Sequence, residues 1–130
     1  MTRLRRVLLA GSIGVWVACN GATAPVAGVL EVKLATPNNG QDGAALLVLT
    51  APVAPTSVTA GPGLTLWGGP VATTTARLAL TGTISAGTIL TLQVEDVNKV
   101  RQYGVALLQI ADVNSRLRTS LAGYNATVTR

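Results

Sequence analysis

Histidine and phenylalanine are absent from this chain, and cysteine occurs once. Without histidine, no Ser-His-Asp or Cys-His system can be assembled to activate a nucleophile. Zinc usually takes cysteine and histidine, so its common ligand sets are excluded as well. Carboxylates are scarce: Glu31, Asp42, Glu95, Asp96 and Asp112 are all there are. A glycosidase needs two of them facing each other across a site. Glu95 and Asp96 adjoin in sequence and would point to opposite faces of an extended chain. A glycoside hydrolase-like use of that pair is the weakest functional reading, and "EDVNK" is expected to be a polar turn after a strand. Asp42, in "NNGQDG", is the one carboxylate there, where a calcium loop needs several oxygen ligands at alternate positions. Turn formation accounts for it better. No enzyme activity, cofactor or metal is expected.

Charge is also thin, at 12% of residues. Three of the ten cations, Arg3, Arg5 and Arg6, crowd the first six positions, leaving seven against five acidic groups elsewhere. The others lie mostly apart, with a small local group at Arg116 and Arg118. That pattern is solvated surface charge rather than a stripe for nucleic acid.

What is present begins with an address. Met1–Arg6 is short and positive, and "VLLAGSIGVWVA", residues 7–18, carries no charge. A spanning helix needs roughly 20 apolar residues. This run has the length of a secretory signal's apolar core instead. Val17-Ala18-Cys19 follows, and "RRVLL…VACN" resembles a bacterial lipoprotein signal, in which the cysteine is acylated on sulfur and becomes the new N-terminus. Trp16 stands where that pattern usually has leucine. The competing cut, Ala22-Thr23-Ala24, is followed by Pro25, whose fixed φ and missing N–H make a poor substrate. Plain secretion and an uncleaved anchor are the alternatives to lipidation at Cys19. Asn20, where an aspartate would resemble an inner-membrane retention signal, directs the expectation to the outer membrane or cell surface; a periplasmic or secreted soluble form is the alternative. The division expected is a signal peptide over 1–18, a tether over 19–27 and one domain over 28–130.

From Gly28 the chain breaks into short β-like runs. "GVLEVKLA" alternates Leu30, Val32 and Leu34 with Val29, Glu31 and Lys33, the period of a half-buried strand. "AALLVLT" (44–50) is continuously apolar and fits a central strand. Short runs at 56–60 and 64–67 flank "GPG". "TTARLALT" (74–81) and "TILTLQV" (88–94) predict a hairpin with a long loop. "YGVALLQI" (103–110) and "YNATVT" (124–129) complete the set. Between them Leu107, Ile110, Val113, Leu117 and Leu121 fall three or four apart, which predicts a short helix over 111–120, stopped by Gly123. Seven or eight short strands with regular turn signals predict an all-β fold, a single antiparallel β-sandwich of Ig-like architecture.

Two wider resemblances hold. "LEVKLATPN…DGAALLVLT", "LTGTISAGTILTLQV" and "SLAGYNATV" together are similar to small lipoproteins of environmental bacteria such as gemmatimonads, which implies an envelope location and no particular activity. "GTISAGTILTLQV" resembles the late strands of cohesin-like sandwiches, which bind partner domains or carbohydrate.

The remaining candidates are aromatic. Trp67, beside "GGP", is expected to fill the core of a domain without phenylalanine. Exposed, it would be a platform for sugar rings, with Tyr103 as a second ring. Tyr124 is expected to pack with its hydroxyl bonded to backbone. The functional expectation is a lipid-anchored, non-enzymatic envelope module that binds or scaffolds another protein. The alternative is a carbohydrate-binding module using Trp67. The partners expected are the membrane, through a lipid on Cys19, and an envelope protein or glycan, without nucleic acid.

Overall fold

Leu30, Val32 and Leu34 are buried while Val29, Lys33 and Ala35 are exposed, so the alternation in "GVLEVKLA" is the two faces of a strand. The structure, a computed structural model, describes residues 24–68 and 73–130. Among them lie eight strands: β1 (Gly28–Ala35), β2 (Asp42–Thr50), β3 (Ser57–Ala60), β4 (Leu64–Gly68), β5 (Thr75–Ile84), β6 (Gly87–Val94), β7 (Gly104–Asp112) and β8 (Asn125–Thr129). They form two antiparallel four-stranded sheets, ordered β3-β6-β1-β8 and β4-β5-β2-β7. The chain is an all-β sandwich, as its turn spacing predicts.

The core is aliphatic. Leu30, Val32, Leu90 and Leu92 from the β1 sheet meet Leu47, Leu78, Leu80 and Ile110 from the β2 sheet, all of them almost fully buried. Each such side chain contributes about 1.5–3 kcal/mol through burial. Together they fill the space that phenylalanine would otherwise take.

One expectation about connectivity does not hold. The runs expected to pair as a hairpin, now β5 and β6, lie in different sheets: β5 pairs with β2 and β4, and β6 with β1 and β3. The turn between them carries the chain across the sandwich. Only β4 and β5 are both consecutive and paired among the described strands. The Asn39-Gly40 turn, with Gly40 at φ 79°, likewise joins the two sheets rather than two paired neighbours.

The helix expected over 111–120 is not there. β7 runs on to Asp112, whose Oδ1 accepts from the backbone N–H of Asn114 at 2.8 Å and of Arg116 at 3.0 Å. That carboxylate holds a tight turn, with Ser115 at φ 65°. The turn returns Leu117 to an isolated bridge with Ala111. Val113 and Leu117 are therefore exposed, at 54% and 61%, and make no buried stripe with Leu107 and Ile110. Helical turns occur instead at Val97–Gln102, a 3₁₀ segment that starts in the expected polar turn "EDVNK" and runs three residues past it, capped by the Asp96 side chain.

Both ends of the described domain meet at that segment. Val97 donates to the Val26 carbonyl at 2.8 Å, and Arg130 Nη1 donates to Asn98 Oδ1 at 3.0 Å. The β1–β2 turn and the 113–123 loop lie at the opposite, distal end.

Candidate binding face

The two sheets present opposite chemistry to solvent. On the β1 sheet, cross-strand registers align Thr59, Thr91, Glu31 and Thr129 in one row, and Thr88, Lys33 and Thr127 in another. On the β2 sheet the outward positions align as Trp67, Ala79, Leu46 and Gln109. The row toward the distal end holds Thr65, Thr81, Ala44 and Ala111, and the row toward the chain ends holds Arg77, Val48 and Ala106. One face is mostly threonine and charge, with Val29 its exposed apolar residue; the other gathers alanine, leucine, valine and tryptophan, with Thr65, Thr81, Gln109 and a single cation among them. Each sheet carries a register shift, and the one in β7 leaves Leu108 and Gln109 both exposed, so the outward set follows an interrupted period of two.

Trp67 is the prominent member. It is 57% exposed, contrary to the expectation that it fills the core. Period two explains this: Leu64 and Leu66 take the inward positions of β4 and pack on the core, so Trp67 points out. Its Nε1–H donates to Thr81 Oγ1 at 2.8 Å, which fixes the edge of the indole and leaves ring surface open. Beside it the sheet is hollowed. Ala44, Ala79 and Ala111 bring small side chains together on three adjacent strands, and with Leu46, Gln109 and Leu117 they line a depression of about 130 Å³.

Tyr103 does not join Trp67. It is 8% exposed and belongs to the core at the start of β7, whereas Trp67 lies on β4 at the other side of the same sheet. Burial raises its phenol pKa above the usual 10.0, helped by the charges of Glu95 and Asp96. Glu95 is exposed, and Asp96 is engaged with backbone: its Oδ1 accepts from Asn98 N–H at 3.0 Å and Val26 N–H at 3.3 Å. Cys19 lies outside the described residues. Among those residues, no three of His, Cys, Asp and Glu gather into a group that could hold a metal.

At the distal end the structure holds two features that local sequence signals do not reveal. Asp42 is fully buried rather than a turn residue. Its Oδ1 accepts from Arg118 Nε at 2.8 Å and lies 2.7 Å from Arg118 Nη2, while Oδ2 accepts from the Tyr124 hydroxyl at 2.5 Å. Asn38 Nδ2 in turn donates to that hydroxyl at 2.9 Å, so Tyr124 bonds to side chains, not to backbone. The Asp42 hydrogen bond raises the pKa of Arg118 above its already high ordinary value. Every oxygen of the buried carboxylate is thus satisfied, which makes the cluster a clamp on the 113–123 loop. The second feature is a cavity of about 300 Å³ lined by Pro62, Leu64, Thr83, Ser85, Thr88 and Ile89. That is the low end for small-ligand sites, and the Thr88 hydroxyl already donates to Glu31.

No family model, curated protein or solved structure matches this chain. The geometry of its own residues therefore carries the functional reading, and the Trp67 face is the surface that departs most from an ordinary solvated sheet.

Proposed function

We propose that this chain is an exported, lipid-anchored, non-catalytic β-sandwich module that docks a protein through the outer face of its β2 sheet. The supporting observation is the asymmetry between the faces. A solvated antiparallel sheet normally alternates apolar-in with polar-out, and the β1 sheet does so. The β2 sheet sets Trp67, Leu46, Val48 and four alanines outward instead. A tryptophan anchor among small apolar residues with a polar rim is the composition of an interface centre.

The tether fits this arrangement. With acylation at Cys19, residues 19–27 link the lipid to the end of the sandwich where Val26 meets the 3₁₀ segment. The strands then run away from the membrane and hold the apolar face parallel to them, open to a partner in the envelope. A carbohydrate reading has one observation in its favour, the open Trp67 ring. Thr65, Gln109 and Arg77 could bond a sugar, but Leu46, Ala79 and Ala44 fill the middle of the face with apolar surface, so protein fits the whole face better.

Two measurements test the proposal. Mass spectrometry of the N-terminus of the protein taken from its envelope is expected to find acylated Cys19; an unacylated N-terminus after Ala22 or Ala24 contradicts the anchor. Native sedimentation of the detergent-extracted chain is expected to show an assembly that Leu46→Glu abolishes and Thr91→Glu, on the opposite face, leaves intact. Equal effects of the two contradict the docking face.

A further inference from the structure

We infer that the partner docked on this face is a second copy of the same chain, a conclusion that rests on the docking reading above. The face carries both halves of a complementary pair. Trp67 projects from the β4 side, with its indole fixed by Thr81. The depression at Ala44, Ala79 and Ala111 spans β5, β2 and β7, with the Thr81 that holds Trp67 on its rim, near the same level along the strands. A two-fold axis in the contact plane, parallel to the strands, exchanges left and right. It seats each copy's Trp67 over the other copy's depression. That is the self-complementarity an isologous dimer requires, in which each patch meets the other's counterpart.

The same axis leaves strand direction unchanged, so the ends carrying Val26 lie on one side of the dimer. Two chains anchored in one membrane need that arrangement. An axis perpendicular to the strands would point the two tethers in opposite directions. Aligned packing of the two outer faces, with strands about 30° apart, is also a common way for sheets to stack.

The size of the face sets the strength. Four strands at ~4.8 Å spacing and about seven residues at ~3.4 Å give a patch of roughly 19 by 24 Å. Two such patches come to roughly 900 Å² in total, below the ~1,200 Å² at which stable interfaces begin and in the range of weak, transient ones. The dimer is therefore dissociable. Arg77, on a central strand of the sheet, comes near its own symmetry mate, so added salt tightens the dimer by screening the repulsion.

The test is site-specific photo-crosslinking of the full chain in the envelope of the cell that makes it, with p-benzoylphenylalanine in place of Trp67 and, separately, of Gln109. The expected product has twice the monomer mass. The probe at 67 captures peptide from residues 105–117 of a second copy, and the probe at 109 captures residues 64–68. Adducts only to a different protein or to a glycan overturn the second-copy inference, and a protein adduct leaves the docking face standing. No adduct from either position overturns both. The unmodified chain, sedimented in detergent, is expected to show a concentration-dependent dimer that 0.5 M salt strengthens and Ala111→Arg, which fills the depression, abolishes. A monomer at every concentration overturns the inference.

Discussion

Arg118 closes on Asp42 from 76 positions away in sequence, and its guanidinium is the only cation paired with a carboxylate that is wholly buried among the described residues. The pair ties the 113–123 loop to the first residue of β2. Asp42→Asn removes the charge but keeps the shape, and is expected to cost about 2 kcal/mol, the range for hydrogen bonds to a charged group. Arg118→Met is expected to destabilise more, because it strands a carboxylate in the interior. Urea unfolding of the two variants checks this order; a milder effect at Arg118 than at Asp42 would show that solvent reaches the carboxylate.

Acid is expected to weaken the fold through two half-buried carboxylates. The Thr88 hydroxyl, then the Lys33 charge, holds Glu31 below its usual 4.5. The Arg116 backbone N–H, with Asn114 and the nearby guanidiniums, holds Asp112 below 3.8. Both pKa values are depressed by folding, so their contribution is complete above the unfolded values and is lost as pH falls through the lower folded ones. Melting temperature is expected to be flat from pH 7 to 5 and to drop below about pH 4. Glu31→Gln and Asp112→Asn should each flatten that drop while lowering the plateau; an unchanged acid slope in both variants would contradict the assignment.

Gly61 marks the tightest backbone approach described. A Cβ there would lie 2.4 Å from the Thr88 carbonyl oxygen, and the Gly61 N–H donates to Ile89 at 2.8 Å. Gly61→Ala must push β6 aside and is expected to cost about 1–3 kcal/mol, the range for overpacking. At Gly104 the nearest atom is the Thr50 hydroxyl, 2.9 Å away on a side chain that can rotate. Gly104→Ala is expected to be milder. Thermal unfolding of the two compares them directly, and equal losses would contradict this packing.

Tyr103 offers a spectroscopic check on the core. With its phenol pKa raised by burial and by Glu95 and Asp96, it is expected to ionise after an ordinary tyrosine in an alkaline titration followed by absorbance. Folding raises this pKa, so the stability it contributes is complete below the unfolded value near 10 and is lost as pH rises through the folded one. A first ionisation below pH 10 that Tyr103→Phe removes would place the ring in solvent.

The strands were legible because period two and turn residues are local. β1 ends where "GVLEVKLA" ends, and the other seven fall within two or three residues of their apolar runs. Pairing was not legible. "GTISAG" says that the chain reverses, but not that it crosses to the other sheet. The spacing of Leu107, Ile110, Val113, Leu117 and Leu121 mimics a helix, yet Asp112 captures the N–H groups that would start one. Asp42 looked like a turn residue because its partners, Arg118 and Tyr124, are distant in sequence. For Trp67 the reason differs: lack of phenylalanine implies a need for it inside, whereas leucine, isoleucine and valine, with Tyr103 and two alanines, fill the core. The register that sets it outward was already present in Leu64 and Leu66.

The central claim, that the Trp67 face is occupied in the envelope, is most directly tested by hydroxyl-radical footprinting of the full chain. Labelling in the intact envelope is compared with labelling after extraction and dilution. Trp67 and Leu46 are expected to be protected in the envelope and to become reactive on dilution, while Val29 on the opposite sheet reacts equally in both. Equal labelling of Trp67 in the two states would contradict the account.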